Sequence, residues 1–432
     1  MHIVVIHQYY LMPGRQGGSR FNEFARLWTE AGHRVSVIAG TLDYATGETP
    51  EKYRGRWITR ERDGDIEVYR CHVPRSYRAS FRGRMWAFFG FMMSSTTATF
   101  LLRNADVVIA TSPPLTAAVP GWVAARVGRH IPWVFEIRDL WPESAVTTGV
   151  LEEDAPLTRA LYVLERAACK TADKVNVLTP AFREDLLRRG LAPDGKIVFI
   201  PNGADVEMFK PGPRDNEVRR SQGWGDRFVV LYAGAHGRAN ALDQLVGAAE
   251  LLKDRPDILI VSVGDGPERS RLIELAKSKG LTNIVFPGAQ PKEAMPDWVR
   301  ACDVGAAVLQ NNPTFRTVYP NKVFDYMSCE RPVLLAIDGV ARQLVCDEAQ
   351  AGVFVEPENA VAMAASIAAL CEQAAERPVM GARGRRWVRA NATRDGLAER
   401  YLGAIATLTG ASEEQRGNGV GRPRRDVAHP VR

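Results

Sequence analysis

Pro320-Asn-Lys-Val-Phe-Asp-Tyr326 sets a lysine and a carboxylate three residues apart where a helix is expected to begin. A helix start has free N–H groups and a positive dipole end that favour phosphate, and Lys322 in the first turn adds a full charge there. With Asn321 as N-cap, the reciprocal capping position falls on Phe324. Asp325 is then not needed for capping and can accept hydrogen bonds from ligand hydroxyls. The pair suits a nucleotide diphosphate with its ribose, and Lys322 is expected to face solvent in an open cleft. An ordinary amphipathic helix with a solvated lysine and aspartate would read the same way.

Other stretches could serve the same chemistry. The run Trp133-Val-Phe-Glu-Ile-Arg-Asp139 ends in Arg138 and Asp139, and charge there is expensive unless it has a purpose or a partner. Asp139 is a candidate for orienting or deprotonating an acceptor hydroxyl, with Arg138 in support; a mutual structural ion pair is the alternative. Arg238, in Tyr232-Ala-Gly-Ala-His-Gly-Arg238, is placed to meet the same diphosphate as Lys322. Gly288 closes Ile284-Val-Phe-Pro-Gly288, where a flat base can lie against backbone. Asp265 reads as an N-terminal helix residue. Gly17-Gly18 permits close backbone approach to a charged group, although a flexible turn reads the same. The chain has neither the Gly-x-Gly-x-x-Gly fingerprint nor a Walker A lysine motif, which counts against a dehydrogenase or a P-loop NTPase. Asp63-Gly-Asp65 reads as a hairpin turn rather than a metal pair. The six cysteines are scattered, without pairing or clustering with histidine, as buried residues of a reducing cytoplasm would be. No metal is expected.

These residues need a frame to position them. Apolar runs alternate with helical patterns along the whole chain, which indicates parallel sheets covered by helices on both faces. The runs of the first half lie at 2–6, 34–40, 67–71, 107–110, 133–139, 174–179 and 197–200. Those of the second lie at 228–234, 258–264, 284–288, 303–309, 332–337 and 352–356. The turn-rich Ile200-Pro-Asn-Gly-Ala-Asp205 separates them. The expected architecture is α/β, with two Rossmann-like domains facing across a cleft. Ligands of such sheets bind beyond the carboxyl ends of the strands, where every candidate above sits.

At 432 residues, 46% hydrophobic and 25% charged, the chain has ample core for more than one domain. A net charge of +6 does not argue for nucleic acid. The start of the chain enters a strand pattern directly, so no signal peptide is expected. Residues 411–432 read as a disordered basic tail. Between Arg70 and Arg103 there are six arginines and no acid. Within that segment Met85-Trp-Ala-Phe-Phe-Gly-Phe-Met-Met93 is apolar on every side, and the uncharged run is too short and hydroxyl-rich for a transmembrane helix. It reads either as a membrane-surface contact or as a buried helix of the first domain.

Taken in order, these motifs resemble glycosyltransferase family 4, the retaining, metal-independent nucleotide-sugar transferases of the GT-B fold. The likeness runs to about Gly410. It rests on Gly17-Gly18, Ile200-Pro-Asn-Gly-Ala-Asp205, Val263-Gly-Asp-Gly266 and, most specifically, Pro320 to Tyr326. Arg138-Asp-Leu-Trp-Pro142 is similar to the subgroup that assembles bacterial surface polysaccharides, including the fucosamine transferases. The resemblance implies an acceptor-binding domain over 1–200 and a donor-binding domain over 201–410, with the last helix packing back on the first. It implies transfer of a hexosyl or N-acetylhexosaminyl group from a UDP-sugar, a substrate rather than a cofactor, to a glycan or lipid-linked acceptor. The enzyme would work in the cytoplasm, at the inner face of the membrane. It assigns donor binding to Gly17, Gly18, Arg238, Gly288, Thr317, Asn321, Lys322, Val323 and Asp325. The family's Glu-x7-Glu signature would fall on 317 and 325, where this chain has Thr317 and Asp325. Asp325 can take the ribose if the helix shifts by roughly one C–C bond, about 1.5 Å. Thr317 loses a charged hydrogen bond of about 1.5–3 kcal/mol, so Arg316, Thr317 or Tyr319 would have to hold the sugar differently. A nucleotide-sugar 2-epimerase and an inactive nucleotide-binding scaffold are the alternatives.

Overall fold

The computed structural model describes residues 1–12, 20–43, 47–74, 81–102, 104–128 and 130–410. Gly17, Gly18, Arg75, Arg78, Arg103 and the tail 411–432 lie outside them. The first half forms an eight-stranded sheet from β1 (His2–Ile6), β2 (Arg34–Gly40), β3 (Ile58–Asp63), β4 (Ile66–Cys71), β5 (Val107–Ser112), β6 (Trp133–Ile137), β7 (Lys174–Val177) and β8 (Ile197–Phe199), in the order β3-β4-β2-β1-β5-β6-β7-β8. The second half forms a six-stranded sheet from β9 (Phe228–Ala233), β10 (Ile258–Val263), β11 (Ile284–Gly288), β12 (Val304–Val308), β13 (Val333–Ala336) and β14 (Gly352–Phe354), in the order β11-β10-β9-β12-β13-β14. All pairings are parallel except β3 with β4. Central strands such as β1, β5, β6, β10 and β12 are buried at every residue, which is why they read as unbroken apolar runs.

Edge strand β3 differs. Ile58-Thr-Arg-Glu-Arg-Asp63 alternates, is half-buried at best, and runs antiparallel to β4 through a turn at Gly64. Asp63-Gly64-Asp65 is that turn, with the Asp63 carboxylate accepting from the Tyr10 hydroxyl at 3.0 Å. The strand order reverses beside β1 in the first sheet and beside β9 in the second. The crevices beyond those carboxyl ends therefore belong to the loops after β1 and β5 and after β9 and β12.

Two features tie the sheets together. The C-terminal helix Arg394–Thr409 packs on helix α1 (Arg20–Glu30) of the first half: Leu397, Ala398, Tyr401 and Ile405 share a core with Phe21, Phe24 and Trp28, and the Trp28 indole donates to the Ala398 carbonyl at 3.0 Å. At the start of α1, Arg20 is 2% exposed and pairs at 3.2 Å with Glu136 of β6, which is fully buried. Arg20 also donates to the Ile200 carbonyl at 2.8 Å, and Asn176 donates to Glu136 at 2.9 Å. A buried charge pair of this kind holds only because its remaining hydrogen-bonding capacity is filled, and here the filling groups come from β7 and from the segment joining the two sheets.

The arginine-rich segment divides. Arg70 is not on a surface strip: it is buried on β4, pairs with Glu61 at 2.8 Å and donates to the Tyr10 carbonyl at 2.7 Å. Helix α2 (Phe81–Thr99) buries Ala87, Phe88 and Phe91. On its opposite side, in helical register, it exposes Arg82, Trp86, Phe89 and Met93, with Trp57 and Phe100 alongside. Trp86 is 58% exposed and stacks on Phe89 at 5.6 Å. No helix among the described residues is long and apolar enough to cross a membrane.

Candidate functional site

The helix Asn321–Ser328 follows β12 and is stopped by Arg331-Pro332. Val323, Phe324 and Met327 bury its inner face in the second core. Tyr326 fixes its rotation: the ring lies on Gly305, the hydroxyl accepts from the Ala233 N–H at 2.9 Å and donates to the Ala306 carbonyl at 3.3 Å. These contacts aim the first turn at the gap between β9 and β12. Pro320, rather than Asn321, occupies the N-cap position, and proline's fixed φ suits the extended conformation that precedes a helix. Asn321 is therefore the first helical residue, with an exposed side chain, and the amides of Asn321 and Lys322 remain available to an anion. Val323 has its side chain in the core, and its N–H donates to the Pro320 carbonyl at 3.1 Å.

Lys322 does not stand out in solvent as expected. Its ammonium sits over the Tyr232 ring, 3.8 Å from the centroid, and the Tyr232 hydroxyl donates to the Ala235 carbonyl at 2.8 Å. A Cβ on Gly234, whose φ is +154°, would lie 2.8 Å from that ammonium and would have to push it aside. The side chain is half-buried and its pKa is pushed down to about 7 by loss of hydration. Asp325, one turn on, is also half-buried, and burial pushes its pKa up to about 7. Arg394 and Lys292 lower it, while Glu23 and Asp205 raise it further. No ion pair joins Lys322 to Asp325. Both carry the cost of desolvation without a mutual partner, which is the state expected of groups waiting for a ligand.

Around this helix the glycine-ended strands interlock. The Gly234 N–H donates to the Val263 carbonyl at 2.9 Å and the Gly264 N–H to the Gly288 carbonyl at 3.0 Å. Gly288 has a φ of +87°, and the Arg269 guanidinium approaches it while donating to the Phe286 carbonyl at 2.9 Å. His236 is buried with Nε2 on the Ser262 hydroxyl at 2.7 Å, and burial lowers its pKa to about 4. Arg238 is exposed at the start of a short 3-10 turn. It lines a surface cavity of about 520 Å³ with Gly237, Asp243, Glu268 and Gln310, and Lys322 is not among the lining residues. Asp265 precedes its helix, Arg269–Ser278, and caps a loop by accepting from the Gly266 N–H at 2.8 Å.

Thr317 ends a 3-10 turn, Pro313–Thr317, and its hydroxyl donates within that turn to the Thr314 carbonyl at 2.7 Å. Beside it, Arg316 is exposed and reaches Asp338 only at 4.0 Å, while Tyr319 packs edge-on against Phe324. From the first domain, Arg138 and Asp139 lie just past the end of β6 and turn to different partners. Arg138 donates to His7 Nε2 at 3.3 Å. Since an arginine can only donate, Nε2 must be bare, and Nδ1 carries the proton given to the Thr111 hydroxyl at 2.7 Å. His7 stays neutral because burial, then Arg138, hold its pKa well below normal. Asp139 is held by Ser144 and the Leu140 amide, yet burial still raises its pKa.

The charge cluster that joins the halves was not anticipated. Glu23 of α1 pairs with Lys292, in the loop after β11, at 2.8 Å and with Arg394 at 2.7 Å.

Comparison with known proteins decides the family. The description "Glycosyl transferase 4-like domain" matches residues 17–203, and "Glycosyl transferases group 1" matches residues 214–387. The chain is 30% identical to a D-inositol 3-phosphate glycosyltransferase of Kineococcus radiotolerans over 66% of this chain and 70% of that one. The chain belongs to glycosyltransferase family 4. This transferase is also 24% identical to the putative colanic acid biosynthesis glycosyl transferase WcaI of Escherichia coli K12, over 81% of this chain and 87% of that one. Its fold is shared with Anabaena HepE, solved in complex with UDP-glucose, at a TM-score of 0.70 and 17% identity over 94% of this chain and all of that one. The fold is GT-B. The matches do not favour the epimerase or the scaffold reading.

The two opposed pKa displacements give the transferase a testable signature. Lys322 is depressed, so the unfolded chain binds more protons between about pH 7 and 10.5; its cost to stability is full below pH 7 and is relieved as pH rises. Asp325 is raised, so its cost is absent at low pH and full above pH 7. Lys322→Met should therefore raise the unfolding free energy at pH 6 by roughly 1–3 kcal/mol, after discounting about 1.4 kcal/mol per pH unit for residual exposure, with the gain shrinking toward pH 9. Asp325→Asn should show the reverse trend. Urea unfolding across pH measures both, and pH-independent differences would mean that neither group is desolvated.

Proposed function

We propose that this transferase moves a sugar from a UDP-sugar to a glycan or lipid-linked acceptor in bacterial surface polysaccharide synthesis, with retention of anomeric configuration and without a metal ion. The observation that carries the reading is the half-buried Lys322 beside free helix amides at the β9/β12 switch point. A diphosphate there restores the lysine's charge and accepts the two N–H groups, and Asp325 is one turn away for ribose hydroxyls. Gly288 and the Arg269 guanidinium would bound the base. The UDP-glucose complex of HepE and the biosynthetic role in the name of WcaI support the choice of donor and pathway.

In the transfer, the bond from sugar C1 to the β-phosphate oxygen breaks and a bond to the acceptor oxygen forms on the same face. The charge that builds on the departing diphosphate falls on Lys322 and the amides, with Arg238 at the exposed rim. Asp139, raised in pKa by burial, orients the acceptor hydroxyl and takes its proton, while Arg138 is held in place by neutral His7. Asp139→Asn should bind UDP as the wild type does yet lose about a hundredfold in transfer, the lower end of what general base catalysis contributes. Transfer should persist in excess EDTA. Radiolabelled UDP-sugars offered with lipid-linked acceptors measure both, and strict dependence on magnesium or manganese would contradict the metal-free mechanism.

The enzyme would work in the cytoplasm against the inner face of the membrane, meeting its acceptor through α2. The exposed row of Arg82, Trp86, Phe89 and Met93 combines aromatic wedges with positive charge, and each arginine near an anionic leaflet is worth about 1 kcal/mol. The protein should cosediment with phosphatidylglycerol vesicles at low salt and be released as salt rises. A Trp86→Ser, Phe89→Ser variant with Arg82→Ser should stay folded and fail to bind. Absence of binding by the wild type would point to a soluble acceptor.

A further inference from the structure

We infer that Thr179, in the first domain, is a positioning residue for the donor loop of the second; this rests on the donor site proposed above. Thr179 is 1% exposed and begins the helix Pro180–Arg188. Its hydroxyl accepts from the Phe182 N–H at 3.2 Å, as an N-cap does, and donates to the Thr317 carbonyl at 2.7 Å across the domain boundary. One hydroxyl has one proton and two lone pairs, so both bonds are made at once.

The loop it grips is also held by its own domain. Asn312 caps the 3-10 turn by accepting from the Thr314 N–H at 2.9 Å, and the Asn311 N–H donates to Glu358 at 2.8 Å. Among the described residues the first domain adds hydrogen bonds from two threonines, Thr179 and Thr147, the latter touching the Thr314 hydroxyl, and Val318, directly after the turn, packs against the first domain's core. Three residues beyond Thr317, Pro320 begins the helix that carries Lys322. A displacement of Thr317 is therefore transmitted to the sugar end of the donor site first and to the diphosphate end only through Pro320. The donor site is complete only while the two domains are together, and Thr179 is the residue that sets the loop when they are.

Two substitutions separate capping from positioning. Thr179→Ser keeps the proton and the lone pairs. Thr179→Asp retains a good N-cap acceptor, but an ionised carboxylate has no proton for the Thr317 carbonyl and repels it. Calorimetry with UDP, UDP-glucose and UDP-N-acetylglucosamine, with the melting temperature as control, reads the two roles separately. The expected result is that Thr179→Asp melts somewhat lower but stays folded at the assay temperature, binds UDP within about threefold of the wild type, and loses about tenfold or more of the affinity for whichever UDP-sugar the wild type prefers. Thr179→Ser should match the wild type throughout. Equal UDP-sugar affinity in Thr179→Asp, or a parallel loss of melting temperature and UDP binding, overturns the assignment to Thr179. A wild type that binds none of the three overturns the donor site itself, and this inference with it.

Discussion

Desolvation of Lys322 is the constraint on which the rest of the site depends. An ammonium laid on the face of Tyr232 gains a cation–π contact of about 2 kcal/mol or more when desolvated, less than the several kcal/mol that lost hydration costs it. The ammonium stays there because Gly234 leaves no side chain in its way and because Tyr326 locks the helix to β9 and β12. The same packing half-buries Asp325. Two opposite charges one turn apart, each pushed to the edge of neutrality, make a site that is unfavourable when empty and, in the proposed function, would be relieved by a ligand bringing two negative phosphates and two ribose hydroxyls.

The two-sheet architecture was legible because the strands of parallel sheets covered on both faces are mostly apolar, and thirteen largely apolar runs could be read from the letters. β3 escaped that list because an edge strand can alternate. The Asn321 helix, its stop at Pro332 and the turn at Gly64 followed from local chemistry. The surroundings of Lys322 did not, since a lysine in a first turn looks the same whether it meets water or a tyrosine ring 90 residues earlier in the chain. Asn321 misled by its high capping propensity, while Pro320 takes the position by virtue of its fixed φ. His7 carried a readable signal, a histidine directly after the first strand's last apolar residue. Glu23, Lys292, Arg394 and Thr179 carried none, because their roles arise only where two domains meet.

Apart from the C-terminal helix and Val318, which pack on apolar surface of the first domain, the contacts named across that meeting are polar. Glu23 reaches Arg394, which moves with the first domain because the C-terminal helix is packed on α1, and Lys292, which belongs to the second. Separation of the domains must break the Glu23–Lys292 pair while sparing the Glu23–Arg394 pair. Such a contact, worth less than a buried apolar interface, suits the proposed reaction, in which the cleft would admit a donor and release a nucleotide.

The most direct test of the central claim is the proton balance of UDP binding. Calorimetric titration of the wild type with UDP at pH 8, in buffers of different ionisation enthalpy, should show uptake of close to one proton, because a lysine with a pKa of about 7 is largely neutral when free and charged beside a diphosphate. Lys322→Met should bind much more weakly and take up none. UDP binding by the wild type with no proton uptake, or with the same uptake in Lys322→Met, would contradict the account.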